Sequence, residues 1–209
     1  MFLQHLEKVS AWATEGREEE ILRARAAFFE KSGEAHEEDR SFEARMAAFF
    51  EYFLLDRPLD GIGTTPVRAY LERNAASLSP DERDALEACA QSFYAAFEVT
   101  KLGTRLGLRV REVVTRTEYD IIERRELVAL AKGDILNARV VPWMGAHVFS
   151  GNFIYHPREA SKAILREAKR RRKADPDTSP TEFAMELARL ALKLERYRNV
   201  SVENIYKFG

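Results

Sequence analysis

Cysteine is almost missing from this chain of 209 residues: Cys89 is the only one. One thiol excludes an intrachain disulfide and a cysteine-built zinc site, and a reducing compartment is the matching environment. Long apolar runs are missing too. No window approaches the roughly 18 apolar residues of a membrane span, and Met1-Phe2-Leu3-Gln4-His5-Leu6-Glu7 lacks the basic stretch and apolar core that open a secretory signal. The expectation is a cytoplasmic protein with no membrane partner. Motifs that carry catalysis are also lacking: no Gly-rich phosphate loop, no H-E-x-x-H, no G-x-S-x-G and no C-x-x-C. These absences point to a non-enzymatic protein with no cofactor, no catalytic residues and no metal.

What is present is the composition of an ordinary globular chain, with 45% hydrophobic and 32% charged residues, enough to bury a core. The net charge of −1 hides a polarity: residues 1–60 carry −6 and residues 157–209 carry +5. An acidic front and a basic back suit either an anionic partner or a head-to-tail contact between copies.

Helical spacing dominates residues 1–94. Phe42, Met46, Phe49, Phe50 and Phe53 fall on one face of a helix from Phe42 to Leu55. Glu18 to Lys31 repeats the pattern with Ile21, Ala24 and Phe28, behind acidic residues that suit a helix amino terminus. Pro58 and Asp60-Gly61 predict a turn, in which Asp56 and Arg57 cap neighbouring helix ends. Thr65-Pro66 predicts a helix start with Thr65 as cap, and Ser79-Pro80-Asp81-Glu82 a capping box before a helix that buries Leu86, Cys89, Ala90 and Phe93. Ser179-Pro180-Thr181-Glu182 repeats the device before Phe183, Leu187, Leu190, Leu194 and Tyr197.

Residues 95–156 read differently. Five β-type runs, 95–102, 108–114, 118–123, 134–142 and 146–155, are punctuated by Gly103, Gly107, Gly133 and Gly145. Short connections predict a small antiparallel five-stranded barrel-like sheet, SH3-like or OB-like. The fold class expected is α+β: a helical region over residues 1–94, a barrel module over 95–156, and carboxyl-terminal helices with an extended tail over 157–209, packed as one globular unit.

The strongest candidate interface is a helix from Arg158 to Lys173. Arg158, Lys162, Arg166, Lys169, Arg170 and Lys173 share one face, and such a row can neutralise successive phosphates. RNA or single-stranded nucleic acid is the partner this predicts. A solvated helix pairing with the acidic front would show the same pattern, so a protein–protein adaptor or homo-oligomer is the alternative. Arg109, Arg111, Arg116, Arg124, Arg125 and Arg139, with Tyr119, Trp143 and Phe149, could add a second surface on the barrel. Cys89 sits on an apolar stripe and reads as inert. His36 with Asp39 could share a helical face as metal ligands but reads as a solvated helix start, whereas His147 and His156 lack the carboxylate spacing of a metal or general-base site and read as structural.

Several words resemble a group of uncharacterised bacterial proteins, some of which carry an appended SEC-C zinc motif. They are Phe53-Leu54-Leu55-Asp56-Arg57-Pro58-Leu59, Gly63-Thr64-Thr65-Pro66, Leu78-Ser79-Pro80-Asp81-Glu82-Arg83, and the β segment from Phe97-Glu98-Val99 through Arg139-Val140-Val141-Pro142. The resemblance implies an intracellular helix-plus-barrel protein and supplies no catalytic residues. Its zinc motif does not carry over, because one cysteine cannot build it.

Overall fold

Apolar residues at helical spacing need a common face to bury, and five amino-terminal helices provide one for each other. The computed structural model describes residues 3–105, 107–122 and 130–208. Its first elements are α1 (Leu3–Thr14), α2 (Glu18–Ser32), α3 (Phe42–Leu55), α4 (Pro66–Arg73) and α5 (Pro80–Ala90). Val9, Phe28, Phe29, Phe49, Phe53 and Leu86 form their shared core. The Ser79–Glu82 capping box opens α5 as expected. Thr65 stands at the start of α4, but its side chain makes no capping bond and its Oγ1 has no hydrogen-bond partner. Phe50 is 43% exposed, whereas Arg45 and Glu51 of the same helix are buried; polar contacts with distant elements explain that inversion.

The β segment begins two residues earlier than its apolar run suggests, so Phe93 opens a strand instead of closing α5. The strands are β1 (Phe93–Leu102), β2 (Gly107–Glu112), β3 (Glu118–Ile122), β4 (Ile135–Trp143) and β5 (Ala146–Tyr155). They pair in the order β1-β2-β3-β5-β4 with β4 returning to β1, so the sheet closes on itself. The sheet is mixed, which corrects the expectation of an antiparallel one: β3 and β5 run parallel at Ile121 and His147. Parity requires it, since strands in a closed ring can alternate direction all the way round only if their number is even. Met144 (φ 48°) and Gly145 (φ 77°) make the tight β4–β5 turn, both at the positive φ such hairpins demand.

Alternation divides the strands between two cores. Phe97, Val99, Val110, Ile121, Val140 and Phe149 fill the inside of the ring. Tyr94 and Ala96 face outward against Phe183 and Leu187. These last two belong to α7 (Pro180–Arg196), which follows α6 (Ser161–Ala174). The tail is not extended as its composition suggested: α8 (Val202–Ile205) forms a helical turn, and Tyr206 beyond it is buried.

Charged side chains lock sheet and helices together. Arg139 of β4 is 1% exposed; its guanidinium donates to Glu51 of α3 (3.2 Å), to both carboxylate oxygens of Asp56, which caps that helix, and to Ser92 Oγ (3.1 Å). Asn152 of β5 donates to the other Glu51 oxygen at 2.8 Å. Arg45 donates to the Ala188 carbonyl of α7 at 2.9 Å and to the Ser32 carbonyl of α2 at 3.3 Å. Removing one member of a buried ion cluster leaves an uncompensated charge. Arg139→Leu should therefore lower stability by about 3–5 kcal/mol in urea denaturation, and adding Glu51→Gln should restore some of the loss. A loss below about 1 kcal/mol would mean that the cluster is not holding the sheet to α3.

Candidate nucleic-acid interface

The basic helix starts where β5 ends. Pro157 (φ −64°, ψ 144°) cannot continue the strand ladder, and a 3-10 turn, Arg158–Ala160, leads into α6. His156 does not cap this turn. It is buried, with Nδ1 2.9 Å from the Tyr206 hydroxyl and Nε2 3.0 Å from Asn137 Oδ1. Asn137 Nδ2 donates to the Ala184 carbonyl at 2.7 Å. That leaves Oδ1 as the acceptor, so the network assigns the proton to Nε2 and makes the Tyr206 hydroxyl the donor to Nδ1.

The α6 helix divides its charges. Ile164, Ala168 and the Glu167 carboxylate face inward. Glu167 accepts from Arg170 (2.7 Å at each oxygen) and from Arg171 Nε (2.7 Å), which hold its pKa below the ordinary carboxylate value against the opposing effect of burial. Arg171 also forms two bonds to Glu186 of α7, at 2.7 and 2.9 Å, with its guanidinium 4.9 Å from the Phe183 ring centre. Arg172 donates to the Val114 carbonyl at 2.6 Å. Two of the five consecutive basic residues from Lys169 to Lys173 therefore anchor the helix.

The six expected contact residues all lie on the exposed side of the turn and helix. Lys162, Arg166, Lys169 and Lys173 have no ion pair among the described residues. Arg170, at the edge of the row, is engaged by Glu167. Arg158 pairs with Asp134 at 2.7 Å. Burial pushes the Asp134 carboxyl up, but the Arg158 side chain and the Ala131 amide outweigh it, leaving its pKa below the usual value. A cavity of about 370 Å³ opens between α6 and the tail, where Arg166 and Arg170 meet Glu203 and Phe208.

Among the described residues, the arginines that could add a second surface on the sheet are paired. Arg109 pairs with Asp120 (2.8 Å), Arg111 with Glu118 (2.5 Å) and Arg116 with Glu98 (3.3 Å), cross-strand and turn partners that neutralise them. Arg139 is buried in its cluster. Arg124 and Arg125, like Glu123, lie outside the described residues. Phe149 is core, and Tyr119 packs between Phe93 and His147. Among the described residues of the strands, the aromatic that stands exposed is Tyr155, at 52%, a residue sequence reasoning passed over. It shares strand parity with the buried Phe149 and therefore reads as core, yet it is the last residue of β5.

The remaining candidates resolve into structural roles. Cys89 is buried, and burial raises its thiol pKa to about 11. The Asp39 carboxylate takes the His36 amide (2.7 Å) and the Arg196 guanidinium (2.6 Å), the latter being the main cause of a pKa lowered to about 2. His147 and His156 sit at opposite ends of β5. Among the described residues no set of three or more His, Cys, Asp or Glu side chains is placed to hold a metal, and no helix is long and apolar enough to cross a membrane.

A helical layer joined to a closed mixed sheet, with an outward basic helix, defines the class of α+β protein. The chain belongs to a family of unknown function, DUF7986, whose model matches residues 17–187. That stretch contains both the Arg139 cluster and all of α6. No curated protein and no solved structure matches the chain.

Burial, with a smaller contribution from the Arg45 charge, pushes the His156 pKa down to about 3. Below about pH 6.5 the unfolded chain binds a proton here that the folded one refuses, so stability falls as pH falls. From pH 6.5 to pH 5, above the carboxylate range, the loss should be about 2 kcal/mol, and His156→Gln should remove that contribution to the slope in urea titrations. Equal slopes in both proteins would show that His156 is protonated in the fold.

Proposed function

We propose that this protein is a non-enzymatic, cytoplasmic binding protein that holds RNA or another single-stranded nucleic acid along the outer face of α6. One observation carries this proposal: Lys162, Arg166, Lys169 and Lys173 stand exposed on one face with no ion pair among the described residues, while Arg171 and Arg172 of the same helix are tied inward. From Lys162 to Lys173 the row runs about 17 Å, long enough to meet several phosphates. The closed sheet, SH3-like or OB-like in type, acts as a rigid base for the helix. Bacterial origin and kinship with zinc-motif-bearing proteins belong to this same proposal.

A homo-oligomer or adaptor is the second possibility, favoured by the charge polarity and by exposed Glu18, Glu19, Glu37 and Glu38 near the front. In it the acidic front of one copy meets α6 of another.

Glu167 needs Arg170, so the clean test spares that residue. Lys162→Gln, Lys169→Gln and Lys173→Gln combined should weaken binding to unrelated single-stranded RNAs alike, and should flatten log affinity against log salt by roughly 2 units. Glutamine keeps helix propensity close to lysine. Fluorescence anisotropy between about 50 and 200 mM salt reads both quantities. An unaltered affinity in the triple variant, or no binding by the wild type at the low-salt end, would overturn the proposal. Salt-sensitive self-association in sedimentation, lost in the triple variant, would then favour the oligomer.

A further inference from the structure

Neutralised phosphates alone do not distinguish a single strand from a duplex, but the end of β5 adds a feature that does. Tyr155 is half exposed, and its ring lies 5.9 Å from that of Phe153, which in turn stands at 90° to the buried Phe149 at 5.3 Å. The exposed ring is thus braced by a row of rings running into the core of the sheet. Tyr155 also borders two cavities. One, of about 390 Å³, includes Pro157, Arg158 and Asp134. The other, of about 450 Å³, includes Arg40, Ser41 and Glu195. Both fall within the roughly 300–1,000 Å³ range of small-molecule sites.

The first cavity is continuous with the basic row, since Arg158 both lines it and opens the row, with Lys162 one helical turn further on. An exposed aromatic ring beside clefts that each carry an arginine, at the end of a line of cations, matches what a splayed polynucleotide needs: a π face for a base and charge for its backbone. The acceptors in the clefts are already engaged. Asp134 takes Arg158 and the Ala131 amide, and Glu195 takes the Ser41 amide and hydroxyl. Contact with a base here is therefore made by stacking, which tolerates any sequence, rather than by hydrogen-bond readout.

We infer that Tyr155 is a base-stacking residue and that the ligand of this face is a single strand with unstacked bases, not a duplex. The inference rests on α6 binding phosphates, and stacking separates from that in one respect. Phosphate contacts release counterions, whereas stacking does not, so loss of Tyr155 changes affinity without changing the salt slope.

The experiment uses the full chain with labelled 12-nucleotide oligo-U, oligo-A and oligo-dT and a 12-base-pair RNA duplex. Tyr155→Ala should weaken all three single strands by at least about fivefold at an unchanged salt slope, and leave the duplex unaffected. Tyr155→Phe should stay within about twofold of wild type, because the ring remains. Tyr155→Leu keeps apolar bulk without a π face and should repeat the loss, which guards against misfolding of the alanine variant. Wild-type affinity in Tyr155→Ala or Tyr155→Leu, or a duplex bound as tightly as the single strands, would overturn the inference while leaving the phosphate-binding face standing if the triple glutamine variant still fails. No binding to any of the four ligands would overturn both.

Discussion

One guanidinium joins the two halves of this protein. Arg139 lies inside β4, but its partners Glu51 and Asp56 belong to α3 and its cap, so the closed sheet and the helical layer meet across a buried ion cluster rather than across apolar surface alone. Such a cluster is geometrically demanding: each lone pair and N–H needs its partner in place, and Asn152 and Ser92 supply those the ion pair leaves over. The cluster fixes the rotation of α3 against the sheet. Arg45, earlier in the same helix, extends the constraint to α2 and α7 by donating only to neutral oxygens.

From that frame the behaviour of α6 follows. The helix carries too many cations to bury, and its inward positions accept two arginines only because Glu167, Glu186 and the Val114 carbonyl meet them. The remaining cations have to face solvent. Tyr155 and Arg158 are held beside this face by the strand end and by Asp134, so aromatic surface and positive charge share one edge of the molecule.

Much of this was legible in the amino-acid sequence where the signal is local. α3 runs from Phe42 to Leu55 as its spacing predicts, and the Ser79–Glu82 capping box is formed by residues three apart. The basic row was legible for the same reason, since a period near 3.6 places its members together. Interactions across long stretches of chain left no such trace. The burial of Glu51 depends on Arg139, 88 residues away, and Phe50 is turned outward as a result, against its hydrophobic character. The pairing of Arg158 with Asp134 and the closing of the ring by parallel β3 and β5 are likewise set by tertiary contact. Exposure of Tyr155 was hidden because alternation marks which side of a strand a residue takes, not where the ring of strands ends.

Lysine reactivity with and without a bound single strand tests the proposed interface most directly. Reductive methylation, followed residue by residue by mass spectrometry with saturating single-stranded RNA, should slow at Lys162, Lys169 and Lys173. Lys8 and Lys31, held by Glu82 and Glu182 on other elements, should react at the same rate in both states. Protection confined to lysines outside α6, or uniform reactivity with the RNA bound, would contradict the assignment of this face.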